Sequence, residues 1–246
     1  MVKADRLQME AIAREFSEQI GIPVHVGGVE ADMAIRGALT TPGTNKPLAI
    51  LDMGAGSTDA SIINQEGEIH SIHLAGAGNM VTLLIQSEMG LDSFDTAEDV
   101  KKYPLAKVES FFHIRHENGT VEFFTEPLDP NIFAKTIILK EGEMVPLEGD
   151  WSMEKIRLIR RQAKQKVFVT NALRALARVS PTGNVRDIQF VVLVGGSALD
   201  FEVPQMVTDA LSQYKVVAGR GNIRGTEGPR NAVATGLVLS LSERGS

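Results

Sequence analysis

Cysteine is absent from the 246 residues, which removes disulfides, zinc–thiolate sites and thiol nucleophiles from consideration. There is no basic excess either. Lys and Arg number 25 against 31 Asp and Glu, a formal net charge of −6, and nonspecific nucleic-acid binding needs a basic surface. No apolar run reaches membrane-spanning length, and the N-terminus lacks the basic-then-apolar order of a signal peptide. A cytoplasmic protein with neither nucleic acid nor membrane as partner is the expectation. Also missing is any lysine-bearing phosphate loop of the form G-x-x-x-x-G-K-S/T. What remains, 43% hydrophobic and 23% charged, is the composition of a soluble globular protein with length for one large domain or two small ones.

The most informative stretch runs from Leu48 to Ile63. Two short apolar runs flank a polar turn, Asp52-Met53-Gly54-Ala55-Gly56-Ser57-Thr58-Asp59, which predicts a β-hairpin. With no Cβ at Gly54 or Gly56, the tip offers backbone N–H groups to which a phosphate can come close. Asp52, ending the first strand, is placed to hold a hydrated divalent cation against that phosphate. The alternative is an ordinary hairpin whose glycines serve only the backbone.

Around this hairpin the periodicities predict the following order. An amphipathic helix spans Ala4 to Gln19 with Leu7, Ile12, Ala13 and Phe16 on one face, closed by Gly21. A short strand, Ile22 to Val26, precedes a helix from Ala31 to Leu39 whose Ala34, Gly37 and Ala38 permit close packing. Ile69 to Leu74 alternates as a third strand, with His70 and His73 on opposite faces. The glycine turn before the helix Met80 to Glu88 either binds an anion or serves close packing on the sheet. Thr96 and Asp99 resemble a capping box, so a helix is expected to begin there, with Glu98 and Lys101 on one face.

From Tyr103 to Asp150 the pattern loosens into short strands, including a hairpin about Asn118-Gly119 of the type I′ kind. Ser152 to Arg178 is the longest helix, capped by Ser152. Its basic face, Arg157, Arg160, Arg161, Lys164 and Lys166, reads as solvated or as a partner surface. Ile188 to Val194 is apolar throughout, as in a strand covered on both faces, and runs into Gly195-Gly196-Ser197. A helix from Pro204, a strand at Lys215 to Ala218 and a glycine loop ending at Arg230 lead to a last helix, Ala232 to Ser242.

Two of these segments carry a resemblance. D-M-G-A-G-S-T-D is similar to the second phosphate loop of the actin, sugar-kinase and heat-shock-chaperone ATPases, D-x-G-x-G-S/T-x-D. Val191 to Ala198 resembles their adenosine loop, a buried strand ending in G-G-S/A. Ala97-Glu98-Asp99-Val100-Lys101 is similar to the segment that holds adenosine in the same group. Further stretches, among them His73 to Met80, Ile114 to Gly119 and Gly221 to Gly236, look like the large subunit of the diol/glycerol dehydratase reactivases.

The resemblance implies an α/β fold: an actin-like, ribonuclease H-like ATPase lobe over residues 1–102 and 151–246, with a mixed sheet flanked by helices. Residues 103–150 would form a small β-rich insertion. It implies ATP or ADP with Mg2+ as ligands. The nucleotide would be held by Gly54, Ala55, Gly56, Ser57, Thr58, Glu98, Asp99, Val100, Lys101, Gly195, Gly196, Ser197 and Arg230, with Asp52 on the metal through water. No catalytic residue is assigned. The family uses ATP to release damaged cobalamin from coenzyme B12-dependent dehydratases. Its implied partners are a small subunit, the dehydratase and the N-terminal half of the large subunit. A sugar or acetate kinase, a filament-forming actin homologue and a non-hydrolysing interaction domain are the other classes compatible with these loops.

Overall fold

A computed structural model describes residues 5–45 and 47–244. Its organising element is a five-stranded sheet in the order β10-β9-β1-β2-β3, built from β1 (Leu48–Met53), β2 (Ser57–Ile63), β3 (Ile69–Ala75), β9 (Phe190–Val194) and β10 (Val217–Arg220). The expected hairpin is β1–β2, antiparallel, with Asp52 opposite Asp59. Strand β9 lies parallel to β1 on its other side and sets Asp52 beside Val194. The ends of the two glycine-bearing segments are thereby neighbours, although some 140 residues separate them in sequence.

Helices cover both faces, and the alternation of β9 shows why its sequence is apolar throughout. Val191 and Leu193 join Leu51 and Met53 in one cluster with α3 (Gly78–Met89), α5 (Met153–Lys164), α6 (Thr170–Val179) and α7 (Val203–Ser212). Val192 and Val194 join Leu48 and Ile50 in the other, under α2 (Glu30–Ala38) and α8 (Ala232–Arg244). Those last two helices touch backbone to backbone. A Cβ on Gly37 would lie 1.8 Å from the Ala232 carbonyl oxygen, and one on Gly236 would lie 1.9 Å from that of Met33.

A second antiparallel sheet, β6-β5-β4-β7-β8, is assembled wholly between residues 105 and 146. Its strands are β4 (Leu105–Ser110), β5 (His113–His116), β6 (Val121–Phe123), β7 (Thr136–Lys140) and β8 (Glu143–Pro146). Ala106, Val108, Ile114, Ile132 and Ile137 give it a small core of its own. Helix α4 (Phe94–Lys102) leads into it from the main sheet.

Several local expectations need correction. Helix α1 (Arg6–Ile20) is capped by Asp5; the expected start at Ala4 lies outside the described residues. Its apolar face is uncovered, with Leu7 76% and Phe16 52% exposed. Ile22 to Val26 is not a strand, because no neighbouring strand among the described residues takes up its backbone groups. Helix α4 is capped by Ser93, whose hydroxyl accepts the Thr96 N–H at 3.3 Å, rather than by Thr96. The Asn118-Gly119 turn is not type I′, since Gly119 has φ 90° while Asn118 stays out of the positive region. The Asn118 side chain instead accepts from the Thr120 N–H and hydroxyl at 3.0 and 2.7 Å. The long helix is one rod, capped by Ser152 as expected, but α5 passes into α6 through a π-helical turn, Gln165–Val169. Two of its five basic residues are not solvated at all: Arg160 and Lys164 are each 0% exposed.

Candidate functional site

At the hairpin tip the Gly54 N–H closes the turn onto the Ser57 carbonyl at 3.0 Å. The N–H groups of Ala55 and Gly56 have no hydrogen-bond partner among the described residues, and both residues are exposed. Directly beside the tip, β9 turns at Gly195 with φ 88°. A Cβ there would lie 2.3 Å from Asp52 Oδ1 and 2.7 Å from the Met53 carbonyl oxygen, so only glycine fits. Gly196 differs, since a Cβ there would meet nothing within 4 Å. Ser197 donates its hydroxyl to the Gly54 carbonyl at 3.1 Å and joins the two turns. The Gly195 N–H donates to the Pro229 carbonyl at 3.0 Å, which brings the exposed Arg230 alongside.

The start of α3 docks on the same tip. Gly76, Gly78 and Asn79 donate N–H bonds to the carbonyls of Gly56, Gly54 and Ala55 at 2.8, 3.2 and 2.8 Å. These donors are occupied by the protein, so of the two readings of that glycine turn, close packing is the one realised. Beneath it, Lys101 Nζ donates to the Gly78 carbonyl (3.1 Å), Thr82 Oγ1 (2.8 Å) and Glu98 Oε2 (2.5 Å). Thr82 also donates to Glu98, and Lys102 approaches the other Glu98 oxygen at 2.9 Å. Burial opposes ionisation of Glu98, yet the bonds from Lys101, Thr82 and Lys102 outweigh it and hold the carboxyl at about 2. Burial moves the Lys101 ammonium downward against the pull of Glu98.

The structure therefore brings together Gly54, Ala55, Gly56, Gly195, Gly196, Ser197, Glu98, Lys101 and Arg230, and separates others from them. Val100 is fully buried in the main core. Asp99 turns to Lys140 on the second sheet at 2.8 Å. Thr58 is buried and donates to the Gly76 carbonyl at 3.1 Å. Ser57 donates to Asp59 at 3.0 Å. A run of consecutive residues on a helix or strand points in several directions, and the side chains of Val100, Asp99 and Thr58 are engaged elsewhere in the protein. Sequence reasoning missed Thr82 and Asn171. The Asn171 amide donates to the Gly76 carbonyl at 2.8 Å.

Among the described residues no hydrogen bond reaches the Asp52 carboxylate strongly enough to set its ionisation. Burial, then the charges of Asp59 and Glu30, push its carboxyl up to about 6. Among the described residues no three His, Asp or Glu side chains converge as a metal cage. The residues fit a cation held by one carboxylate and its own water, as the negative surroundings of Asp52 favour. An acid whose folded pKa is raised binds its proton more tightly folded than unfolded. Stability attributable to Asp52 is thus greatest below about 4 and declines as pH rises to about 6. Asp52→Asn is expected to raise the free energy of urea unfolding at pH 7.5 by at most about 3 kcal/mol, and to change little at pH 4. An equal gain at both values would remove the charge as the cause.

The site is an open surface. Two concave regions lie elsewhere, one between α1 and Val24–Val26 lined by Arg14, Ser17 and His25, the other along α8 lined by Arg224, Asn231 and Val238. Neither includes the tip or the Gly195–Ser197 turn.

The family model for the diol dehydratase reactivase ATPase-like domain matches residues 1–241. The propanediol dehydratase-reactivating factor large subunit of Citrobacter freundii is 68% identical over 240 residues, covering 98% of this chain and 39% of that protein. The diol dehydratase-reactivating factor large subunit of Klebsiella michiganensis gives the same figures. The chain thus spans about two fifths of the length of the curated relatives it matches. Among solved structures, a glycerol dehydratase reactivase superposes with a TM-score of 0.90 at 68% identity, over 98% of this chain and 40% of that one. MreB5 of Spiroplasma citri, solved with ADP, superposes with a TM-score of 0.53 at 21% identity, over 100% and 69%. That last likeness shows the fold alone, which is the actin-like one.

Proposed function

The chain belongs to the diol dehydratase reactivase ATPase-like domain family, and from that membership we propose that it is the nucleotide-holding lobe of a reactivating factor's large subunit. Adenosine would lie over the Gly196–Ser197 turn, between Arg230 and the Glu98–Lys101 face of α4. The phosphates would take the Ala55 and Gly56 N–H groups, and Asp52 would face a hydrated Mg2+. The observation that carries this reading is the Ser197–Gly54 bond, with Gly54 in turn held by α3 above Lys101. Three segments distant in sequence meet at one exposed tip.

In the whole factor, nucleotide state would alter the grip on a small subunit and so let a B12-dependent diol or glycerol dehydratase be loosened until inactive cobalamin leaves. Such a cycle requires that the nucleotide states differ in affinity for the partner. We propose further that residues 103–150 form a subdomain, and that the bare apolar faces of α1 and α8, including Leu7, Phe16 and Val238, meet the remainder of a large subunit.

One observation favours a second reading, a scaffold that binds no nucleotide. All three donors of the Lys101 ammonium are already taken inside the protein. Calorimetric titration of ADP with Mg2+ into the chain and into Gly196→Val separates the two. The valine finds open space in the fold and blocks the backbone approach, so affinity is expected to drop roughly ten-fold or more with the unfolding midpoint unchanged. Equal affinity in both proteins would exclude Gly196 from the site, and no binding by either would leave the scaffold.

A further inference from the structure

The two fully buried cations of α5 sit between the nucleotide turn and the second sheet. Lys164 Nζ donates to Asp200 Oδ1 at 2.8 Å and Glu202 Oε2 at 2.9 Å. Asp200 Oδ1 also accepts the N–H groups of Glu202 and Val203 at 2.8 and 3.0 Å, so that one carboxylate shapes the exit of the turn that begins at Gly195. Arg160 grips Glu202 through Nε at 2.8 Å and Nη2 at 3.1 Å. Its Nη2 also donates to both oxygens of Glu117 at 2.8 and 2.9 Å, and its Nη1 to the Tyr103 carbonyl at 3.3 Å. Glu117, in the β5–β6 turn, accepts the Leu105 N–H at 3.1 Å as well. The Phe201 ring lies over both cations, 4.8 Å from the Arg160 guanidinium carbon and 4.5 Å from Lys164 Nζ.

With the Asp200 N–H donating to the Ser197 carbonyl at 3.2 Å, these bonds make a continuous path: Gly54 carbonyl, Ser197, Asp200, Lys164, Glu202, Arg160, Glu117, hairpin. We propose that Arg160 and Lys164 are positioning residues of the nucleotide site, which fix the turn after β9 and couple its occupancy to the packing of the β5–β6 hairpin. The inference rests on the nucleotide reading above and deepens it. Neither cation touches the ligand; each acts through Asp200 and Glu202. Shifting the Ser197–Val203 segment moves an acid that cannot stay buried without its cation. A change at either end of the path is therefore felt at the other. Coupling of this kind is reciprocal. The hairpin so linked carries Phe123, 76% exposed, and Phe112, 50% exposed, lies in the β4–β5 turn just before it.

The test uses hydrogen exchange on the intact chain with and without saturating ADP, then ADP titration of Glu117→Gln, which keeps the shape of the side chain and removes its charge. ADP is expected to slow exchange in His113–His116 and Val121–Phe123 of the parent. Glu117→Gln is expected to bind ADP about five-fold more weakly or worse and to lose that slowing at saturation. A merely structural role would leave the ADP-dependent slowing intact. Should Glu117→Gln fail to fold, the parent's exchange decides alone. Binding of ADP by the parent with an unchanged hairpin, or with unchanged affinity in Glu117→Gln, overturns the coupling and spares the nucleotide reading. No binding by the parent overturns both.

Discussion

Mixed with ATP and Mg2+ at high protein concentration, the 246-residue chain by itself is expected to release no measurable phosphate in a single-turnover assay. Phosphoryl transfer depends on groups that close around the γ-phosphate and stabilise the charge developing there. The tip supplies two backbone N–H groups on an exposed surface, and the nearby ammonium of Lys101 is spent on Gly78, Thr82 and Glu98. Ala55, Gly56 and Gly196 are all exposed. Positioning from both sides is worth about 7–11 kcal/mol of a barrier, so an open half-site loses most of the rate. Adding the remaining part of a homologous large subunit as a separate chain is expected to restore hydrolysis. Robust turnover by the chain alone would require a different, complete active site within it.

Arg160→Met is expected to cost about 3–5 kcal/mol of stability, because it strips the counter-charge from acids that are already buried. Glu202 loses two of its bonds and Glu117 loses two. Lys164 remains, but it is shared with Asp200. In a chain of this length the loss corresponds to a fall in melting temperature on the order of 10 °C. Calorimetric melting of parent and variant measures it directly. A loss below about 1 kcal/mol would mean that water reaches these carboxylates and that the cluster is not the closed one described above. Burial opposes the charge of Glu202, yet Lys164 and Arg160 hold its carboxyl below the usual range. Its share of stability is therefore lost as pH falls below the ordinary carboxylate range.

What could be read from the sequence followed the reach of each signal. The β1–β2 hairpin, the buried β9 strand and the long Ser152-capped helix all declare themselves within a few residues, through alternation, period and cap. Gly37 and Gly236 are legible in the same way, as small residues on helices that must come close. The two glycine turns of the site were recognisable as a pattern, although only Gly195 among their glycines has a conformation that demands the residue; Gly54, Gly56 and Gly196 lie outside the positive-φ region. Other features depended on partners far along the chain. Ile22–Val26 has the residues of a strand, but a strand exists only where a neighbour takes its backbone groups. Arg160 and Lys164 look like any basic helix face until Glu117, Asp200 and Glu202 arrive from 36 to 43 positions away. At α4, Ser93 and Thr96 both have capping side chains three residues apart, and local pattern alone did not choose between them. Within the site itself, the spacing of Glu98 and Lys101 marked their shared face, but not the partners that occupy it. Only the structure shows that Lys101 reaches Gly78 and Thr82 behind the tip while Val100 fills the core.

We propose above that the Gly54–Gly56 tip, the Gly195–Ser197 turn and the Glu98–Lys101 face form one nucleotide site in this chain. It is tested most directly by titrating ADP and Mg2+ into isotope-labelled protein and following backbone amide resonances. The largest shifts are expected together on Ala55, Gly56, Gly196, Ser197 and Lys101, with one shared dissociation constant. Shifts gathered instead around Arg14 and His25, or around Arg224 and Val238, or different constants for the three segments, would contradict it.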